Sequence, residues 1–401
     1  MRRKKDSTVG QNFKEICDFL AAMDLEAVIR KSTYKTRKRK LPVHEHLALW
    51  VHSIWEGNPE SLGTMVMKRN YRRPQDPRLT AQGLSYVDCH RPCQLFADIF
   101  EHFFRKANRS LRRQLGKSQI NLLDASVVKG LAPKVARFFP LRSNNGVKLA
   151  RLKVHSLIDA DGALRSLKIT DANNNDGQHT DFIWKEMRRN TLLIFDLGYW
   201  RFDFLDAIQE RGCHFLTRVR QDNRPLAQEW FRREPHVRDY MARLDRYRSN
   251  GKRHLVRVVE QLQPDGFWWR WTTNLDVHAF PAEEVADLYR RRWQVEIFFR
   301  QLKHVFHLRR LRSSHPNALM VELYVTFIAY MLAHWLMVEA GRKYPAGVGR
   351  QYALARVARL LHGLLEGPIL PLSELLKTIS LYCITPVNKK RQARRSETNA
   401  A

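Results

Sequence analysis

Residues 289–303, which read YRRRWQVEIFFRQLK, combine one carboxylate with several cations at helical spacing. At about 100° per residue, four polar side chains fall within an arc of roughly 60° on one helical surface. They are Tyr289, Arg292, Glu296 and Lys303. A carboxylate in such a setting can ligate a metal ion. It can equally belong to a network of surface ion pairs, and this stretch leaves both interpretations open.

Two aspartates each follow a short apolar run that is typical of a buried strand. Residues 120–123 (INLL) precede Asp124, and residues 192–195 (LLIF) precede Asp196. Each aspartate is therefore expected at the carboxyl end of its strand. Taken singly, either one could instead form part of a turn or cap a helix.

Three carboxylates from separate segments are the minimum set for holding two divalent cations. Mg²⁺ takes oxygen ligands and shares them with substrate phosphates. Two such ions about 4 Å apart can activate a water or a 3′-hydroxyl and stabilise the departing oxygen in phosphodiester attack. Asp124, Asp196 and Glu296 are therefore the candidate catalytic residues and metal ligands of a two-Mg²⁺ site, in which Mn²⁺ can substitute.

The positive charge of the chain indicates a polyanionic partner. Its 401 residues include 70 Lys and Arg against 40 Asp and Glu, a net charge of +30. Nucleic acid is the favoured partner, because Lys and Arg bind phosphates with release of counterions. A membrane surface is the rival. However, the longest apolar run, residues 318–338, contains Glu322 and His334, and we expect a buried core helix there and no membrane.

Residues 31–40 concentrate basic side chains near the N-terminus. Contact with DNA phosphates is the functional interpretation of this cluster, and a solvated linker is the alternative. The candidate DNA-binding residues are Lys35, Arg37, Lys38, Arg39 and Lys40.

The five cysteines are odd in number and scattered along the chain. This favours reduced thiols in a cytoplasmic protein over a disulfide framework. Cys89, His90 and Cys93 could suggest zinc, but no second pair lies at ligand spacing, so no metal is expected there. The N-terminal MRRKKDSTVG has no apolar segment behind it and is not expected to be a secretory signal.

The elements that must position these residues change in character near Gly116. Before it, helices are predicted over residues 43–55, 61–68, 80–87 and 93–113, which fits a helical DNA-binding domain of helix-turn-helix type. After it, the predicted order is strand 120–123, hairpin 153–159 with 163–170, helix 181–189, strand 192–195, helix 202–209 and strand 213–219. That order indicates a mixed sheet covered by helices.

Further elements follow the core strands. Strands at 253–260 and 267–273 predict a β-rich insertion, and a helix beginning at Glu283 carries Glu296. Helices are also expected over residues 317–342, 351–365 and 372–382. We divide the chain into a helical DNA-end-binding domain (1–115), a first core part (116–220), the insertion (221–275), the glutamate helix of the core (276–312), a C-terminal helical region (313–385) and a disordered basic tail (386–401).

The spacing within residues 289–303 is similar to a known family signature. Tyr289, two residues, Arg292, three residues, Glu296, six residues and Lys303 match the tyrosine-arginine-glutamate-lysine signature of the IS-four family of insertion-sequence transposases. The resemblance covers about residues 121–311.

Two further elements support the resemblance. One is the Asp-x-Ser element at Asp124, and the other is the Asp-x-Gly-Tyr element at Asp196. In order and context, these aspartates resemble the first and second catalytic acids of the family, and Glu296 resembles the third. Ala125 and Leu197 depart from the glycine and arginine that are commoner there, and neither change removes a metal ligand.

The resemblance implies an α/β ribonuclease H-like core with a β-rich insertion and Mg²⁺-dependent cleavage and joining at the ends of a mobile element. For such an enzyme we expect a cytoplasmic, nucleoid-associated bacterial protein that binds the terminal inverted repeats through its N-terminal helical region and also binds target DNA. We expect a homodimer in the DNA complex, because two ends must be brought together. Tyr289, Arg292 and Lys303 would contact DNA near the cleaved end. Trp293 would stack on a base or lie in the core. A non-catalytic DNA-binding protein derived from a transposase and a structure-selective nuclease are the alternative functions.

Overall fold

The computed structural model falls into two compact units. It describes residues 28–30, 41–56, 60–112, 120–141, 149–173, 175–219, 225–244, 254–366 and 371–386. What we call the helical unit comprises the described parts of 1–112, 128–151 and 299–387, and the sheet unit comprises those of 113–127 and 152–298. The basic residues Lys35, Arg37, Lys38, Arg39 and Lys40 and the predicted tail lie outside the described residues, apart from Pro386.

The strands of the described residues lie in one large sheet and two short ribbons. Their bounds are β1 Ile120–Val128, β2 Pro140–Leu141, β3 Leu149–Ala150, β4 Leu152–Asp159, β5 Leu164–Asp171, β6 Leu192–Phe195, β7 His214–Arg218, β8 Leu226–Arg233, β9 Val237–Leu244, β10 His254–Leu262, β11 Trp268–Thr273, β12 Arg350–Tyr352 and β13 Ile384–Pro386. The large sheet has nine strands in the order β5-β4-β1-β6-β7-β11-β10-β9-β8, and β2 pairs with β3 and β12 with β13.

Helices make up most of the remaining regular structure. Their bounds are α1 Val43–Trp55, α2 Leu62–Arg72, α3 Ala81–His90, α4 Cys93–Arg112, α5 Phe202–Glu210, α6 Ala282–Arg290, α7 Trp293–His304, α8 Pro316–Lys343, α9 Leu354–Glu366 and α10 Leu372–Tyr382. The predicted limits of α1 and α10 agree with these residue for residue. Thr80 caps α3 as expected, because its hydroxyl accepts the Gly83 N–H at 3.0 Å.

The centre of the sheet is parallel and largely buried. β1, β6 and β7 run parallel, with Leu123 beside Phe195 and Ile194 beside Leu216. All four residues of β6 are buried, which explains why this strand reads as an uninterrupted apolar run. Phe195 packs in a cluster with Phe204 of α5. This mixed sheet with its helices is consistent with a ribonuclease H-like core.

Two predicted elements differ in the structure. β1 continues to Val128, so Asp124 lies inside the strand and not at its end, and β4 is the neighbour of β1 on the side away from β6. The helix predicted at 181–189 is reduced to a 3-10 turn at Asp181–Ile183. There the Phe182 carbonyl accepts a hydrogen bond from the Ser166 hydroxyl at 2.8 Å.

The predicted β-rich insertion is an extension of the core sheet. β11 pairs antiparallel with β7, and β10, β9 and β8 follow outward. The two predicted strands correspond to β10 and β11, whereas β8 and β9 were not predicted. β8 reads LAQEWFRR and is exposed at nearly every position, so it lacks the alternation of apolar and polar residues that marks a half-buried strand.

The helical unit is organised around α8. This 28-residue helix is long and apolar enough to cross a membrane, yet 78% of its most apolar window is buried against the rest of the protein. It packs on α1, α3, α4, α9 and α10. The prediction of a buried core helix is therefore confirmed. A separate all-α N-terminal DNA-binding domain remains a prediction.

Candidate active site

The two aspartates are brought together by the parallel register of β1 and β6. Leu123 lies beside Phe195, so Asp124 and Asp196 follow at the next position of neighbouring strands, which are about 5 Å apart. Asp124 Oδ1 accepts the Ala125 N–H at 2.7 Å, and Asp196 Oδ1 accepts the Gly198 N–H at 2.8 Å. Each carboxylate therefore has one oxygen held by its own backbone.

Arg292 joins Glu296 to this pair. Its Nη1 lies 3.4 Å from Asp124 Oδ2, and its Nη2 lies 2.5 Å from Glu296 Oε1. The side chains of Asp124, Arg292 and Glu296 are 16%, 20% and 31% exposed, so the guanidinium bridges two half-buried carboxylates. The structure thus brings together all three candidate acids, from segments more than 70 residues apart in sequence.

The helix predicted across residues 289–303 is interrupted. α6 ends at Arg290 and α7 begins at Trp293. Between them the backbone forms tight three-residue hydrogen bonds, from the Arg292 N–H to the Tyr289 carbonyl and from the Gln294 N–H to the Arg291 carbonyl. The expectation of one continuous helix is therefore wrong, although Arg292, next to the start of α7, still pairs with Glu296.

Tyr289 is buried rather than presented to solvent. Its residue exposure is 9%, and its ring centroid lies 6.2 Å from that of Trp271. Burial raises the pKa of its phenol to about 12, so the phenol stays protonated at neutral pH. The Arg292 guanidinium lies 5.8 Å from the centroid of the Tyr289 ring. The Tyr289 ring therefore lies beneath the Arg292 guanidinium in a cation–π arrangement.

Trp293 and Lys303 lie at opposite ends of α7. Trp293 is 42% exposed, which excludes the interpretation that it belongs to the core. Lys303 Nζ lies 6.0 Å from the centroid of the Phe299 ring. Phe299 is buried, so it restricts where the lysine side chain can lie.

The electrostatics of the acids favour a bound cation. Burial and the nearby charge of Asp196 raise the pKa of Asp124 to about 7, against the opposing effects of the Ala125 N–H and Arg292. A carboxyl so disfavoured in its ionised form would be stabilised by a divalent ion. The three acids offer only oxygen ligands, the donor type that Mg²⁺ and Mn²⁺ prefer. The residues present therefore fit a divalent metal.

A second cluster of possible metal ligands, in the helical unit, is already paired with protein cations. His52, Glu56 and Glu60 each offer one ligand atom within 4.8 Å of the others. The Lys68 ammonium contacts both glutamates, and Arg72 Nη1 lies 3.0 Å from His52 Nε2. Burial, followed by the charge of Arg72, lowers the pKa of His52 to about 3. We interpret this cluster as an ion-pair network.

Three residues that the sequence analysis did not single out, Lys153, His155 and Asp176, lie close to the turn that contains Asp196 and Tyr199. The Tyr199 hydroxyl lies 2.8 Å from His155 Nδ1, and Lys153 Nζ lies 2.7 Å from Asp176 Oδ1. Lys153 and His155 come from β4, whereas Asp176 comes from the polar segment DANNNDGQHT. A polar segment of that kind is the one signal that could have directed attention to Asp176.

Comparison with known proteins identifies the family. The family model described as "Transposase DDE domain" matches residues 116–332, more than half of the chain. The y4zB protein of Sinorhizobium fredii, which carries a transposase designation, is 28% identical over 257 residues, covering 62% of this chain and 69% of that protein. The transposase for insertion sequence element IS231E of Bacillus thuringiensis subsp. finitimus is 21% identical over 387 residues, covering 81% and 79%.

A third relative carries the name of the group itself. Transposase InsG for insertion sequence element IS4 of Escherichia coli is 24% identical over 177 residues, which cover 41% of this chain and 39% of that protein. The region that the family model matches, residues 116–332, contains every residue of the candidate active site. The chain therefore belongs to the DDE transposases of the IS-four family, the enzymes that cleave DNA and transfer its strands when an insertion sequence moves.

Proposed function

We propose that Asp124, Asp196 and Glu296 are the catalytic acids of this transposase and hold two Mg²⁺ ions, which Mn²⁺ can replace. The observation that carries the proposal is that Arg292 bridges Asp124 and Glu296, while Asp196 lies next to Asp124 at the end of the neighbouring strand. When bound, the ions would lower the pKa of the attacking water or 3′-hydroxyl and neutralise charge on the leaving oxygen. The acids would orient the ions through oxygen atoms that the backbone leaves free.

Arg292 is proposed to contact a DNA phosphate next to the cleaved bond. Burial alone would lower the pKa of Arg292, but Tyr289, Asp124 and Glu296 raise it, so the guanidinium keeps its charge. A guanidinium held in this way can bind a phosphate through two parallel hydrogen bonds. Tyr289 would act through Arg292, because the burial of Tyr289 disfavours direct contact with DNA.

Lys303 and Trp293 are proposed as further contacts at the DNA end. A lysine contributes to phosphate binding as a point charge, and the exposed indole of Trp293 offers a face on which a base can stack. Lys35, Arg37, Lys38, Arg39 and Lys40, with the helices up to Arg112, are proposed to bind the terminal inverted repeats.

The substrates are proposed to be the double-stranded ends of the element and its target DNA. Two ends must be brought together, so we propose a homodimer on DNA. We also propose a cytoplasmic location at the nucleoid, where DNA is accessible.

Neutralising each acid in turn tests the assignment. Asp124→Asn, Asp196→Asn and Glu296→Gln should each reduce Mg²⁺-dependent nicking and strand transfer on end-containing DNA by at least 1,000-fold, on the order of the loss of an essential catalytic group. Glu284→Gln, an exposed acid on α6, is the matched control and should stay within twofold. Full activity in all three variants would show that the site is elsewhere.

The same assay separates the alternative functions. Salt-sensitive DNA binding without cleavage in Mg²⁺ or Mn²⁺ would indicate a non-catalytic protein. Cleavage of branched DNA that ignores the element ends would indicate a structure-selective nuclease.

A further inference from the structure

Asp176 lies directly against the turn that carries Asp196. A Cβ atom added at Gly198 would lie 2.8 Å from Asp176 Oδ2 and 3.1 Å from Asp196 Oδ1. Real Cβ atoms do not approach a neighbour at 2.8 Å, so a side chain at Gly198 would displace one of these carboxylates. Gly198, which has no side chain, therefore lies between the carboxylate of Asp196, the proposed metal ligand, and the carboxylate of Asp176.

Lys153 holds Asp176 in this place. Its Nζ lies 2.7 Å from Asp176 Oδ1, and the two side chains are 13% and 24% exposed. His155 Nδ1 lies 4.0 Å from the same oxygen. An ion pair that is this sheltered from water is more firmly oriented than a surface pair.

His155 anchors the end of the same turn. The Thr170 hydroxyl donates to the Asp171 carbonyl at 2.9 Å, so its oxygen accepts a hydrogen from His155 Nε2 at 3.0 Å. His155 Nδ1 is then an acceptor, and the Tyr199 hydroxyl donates to it at 2.8 Å. Burial lowers the pKa of His155 to about 4, so the ring is neutral at physiological pH. Both rings are fully buried.

Lys153 and His155 stand two positions apart on β4, and they restrain the Asp196–Tyr199 turn at two points. One restraint acts through Asp176 on Gly198, and the other acts on Tyr199. Asp196 opens this turn, and its Oδ1 is tied to the Gly198 N–H. Movement of Gly198 would therefore move the carboxylate.

We propose that Asp176, Lys153 and His155 are positioning residues that orient the Asp196 carboxylate for divalent metal binding. The inference rests on the proposed role of Asp196 as a metal ligand. The three residues act through the backbone of the turn and need not touch the metal or DNA. Removal of hydrogen-bonded partners behind a metal ligand typically weakens metal binding 10- to 100-fold.

The primary test measures metal binding without DNA. Mn²⁺ alone is titrated calorimetrically into the full chain. Asp176→Asn and Lys153→Met should each raise the Mn²⁺ dissociation constant about tenfold, and Lys153→Arg should restore it to within threefold. Asp181→Asn is the matched control, because Asp181 pairs with Lys168 on β5 in a similar but more exposed ion pair. It should leave the dissociation constant unchanged.

Cleavage assays supply a second readout. The Mg²⁺ concentration for half-maximal cleavage should rise about tenfold in Asp176→Asn, while the rate at saturating Mg²⁺ and the binding of end DNA in EDTA stay within threefold. Gly198→Ala should impair Mn²⁺ binding by itself. In the Gly198→Ala, Asp176→Ala double variant the effects of the two substitutions on the Mn²⁺ dissociation constant should not add. The Asp176 carboxylate, with which the added Cβ atom at position 198 would clash, is absent from that variant.

Two results would overturn the inference. One is an unchanged Mn²⁺ affinity in folded Asp176→Asn. The other is a uniform loss of Tm, DNA binding and activity with unchanged metal dependence, which would show a merely structural role. Failure of the proposed function can be told apart from failure of this inference. If Asp196→Asn remains active in cleavage, the proposed metal site itself is wrong. If Asp196→Asn is inactive but Asp176→Asn binds Mn²⁺ as tightly as the wild type does, only this inference is wrong.

Discussion

Replacing Asp124 by Asn should stabilise the metal-free protein at alkaline pH while abolishing catalysis. The pKa of Asp124 is about 7 in the folded chain, against an ordinary value of 3.8. Folding therefore opposes ionisation of this carboxyl. The amide of Asn has nearly the same shape, keeps an oxygen for the Ala125 N–H and carries no charge.

The magnitude follows from the shift in pKa. A difference of about 3 units corresponds to about 4 kcal/mol in the free energy of unfolding. A raised pKa stabilises the folded state of the wild type fully below about pH 4, and this stabilisation is lost as the pH rises through 7. The advantage of Asn is therefore near zero at pH 4 and at most about 4 kcal/mol at pH 8. The attraction between Arg292 and ionised Asp124 lowers the pKa and is therefore already included in this figure.

The assay is urea unfolding of both proteins in EDTA at pH 4.5, 6 and 8. Asp287→Asn, an exposed aspartate paired with Arg290, is the control and should change stability by less than about 0.5 kcal/mol at every pH. Addition of Mg²⁺ at pH 8 should stabilise the wild type and leave Asp124→Asn unaffected. A stability difference that is independent of pH would refute the reasoning, because it would show that Asp124 does not titrate near neutrality.

Three further predictions concern the helices and the core. Arg292→Met leaves the Asp124 and Glu296 carboxylates without their shared cation, so the rate of single-turnover cleavage should fall at least 100-fold, a loss of about 3 kcal/mol. Arg292→Lys should have an intermediate rate. A cleavage rate within threefold of wild type in Arg292→Met would contradict the bridging role. Trp293→Ala removes an exposed indole, so the urea midpoint should stay constant while the free energy of binding to end DNA weakens by about 1 to 3 kcal/mol. Trp293→Phe should retain most of this binding free energy. Unchanged DNA binding in Trp293→Ala would show that Trp293 is not in the interface. Leu193→Ala in the fully buried β6 should lower the free energy of unfolding by about 2 to 5 kcal/mol, and a loss below 1 kcal/mol would show that this strand is not in the core.

Elements with a strong local pattern were predicted well. The predicted limits of β6 and α1 agree with the structure at both ends. A fully buried strand is indicated by a continuous apolar run and a helix by its periodicity, and both patterns involve only neighbouring residues. Asp196 was correctly expected just after β6. The spacing of Arg292 and Glu296 also held, since both lie on or next to one turn of α7.

Elements that depend on distant partners were predicted poorly. The strand β8 has neither an apolar run nor alternation, and it forms because β9 supplies the hydrogen bonds. The predicted helix after Thr180 is only a 3-10 turn, and it is bonded to β5 by the Ser166 hydroxyl, a contact that the local sequence does not indicate. The break between α6 and α7 interrupts the predicted helix, and Tyr289 lies buried beside Arg292, which its residue type and spacing did not indicate.

The sequence by itself determined which residues could do chemistry, that Asp196 follows a buried strand, and that Arg292 and Glu296 are one helical turn apart, because residue type and short-range periodicity are local properties. Only the tertiary structure decided that Arg292 bridges Asp124 and Glu296, that Tyr289 is buried, and that Asp176 lies against Gly198. These contacts join segments that are far apart in the chain. Their distances follow from strand order, register and packing, which no single stretch of sequence encodes.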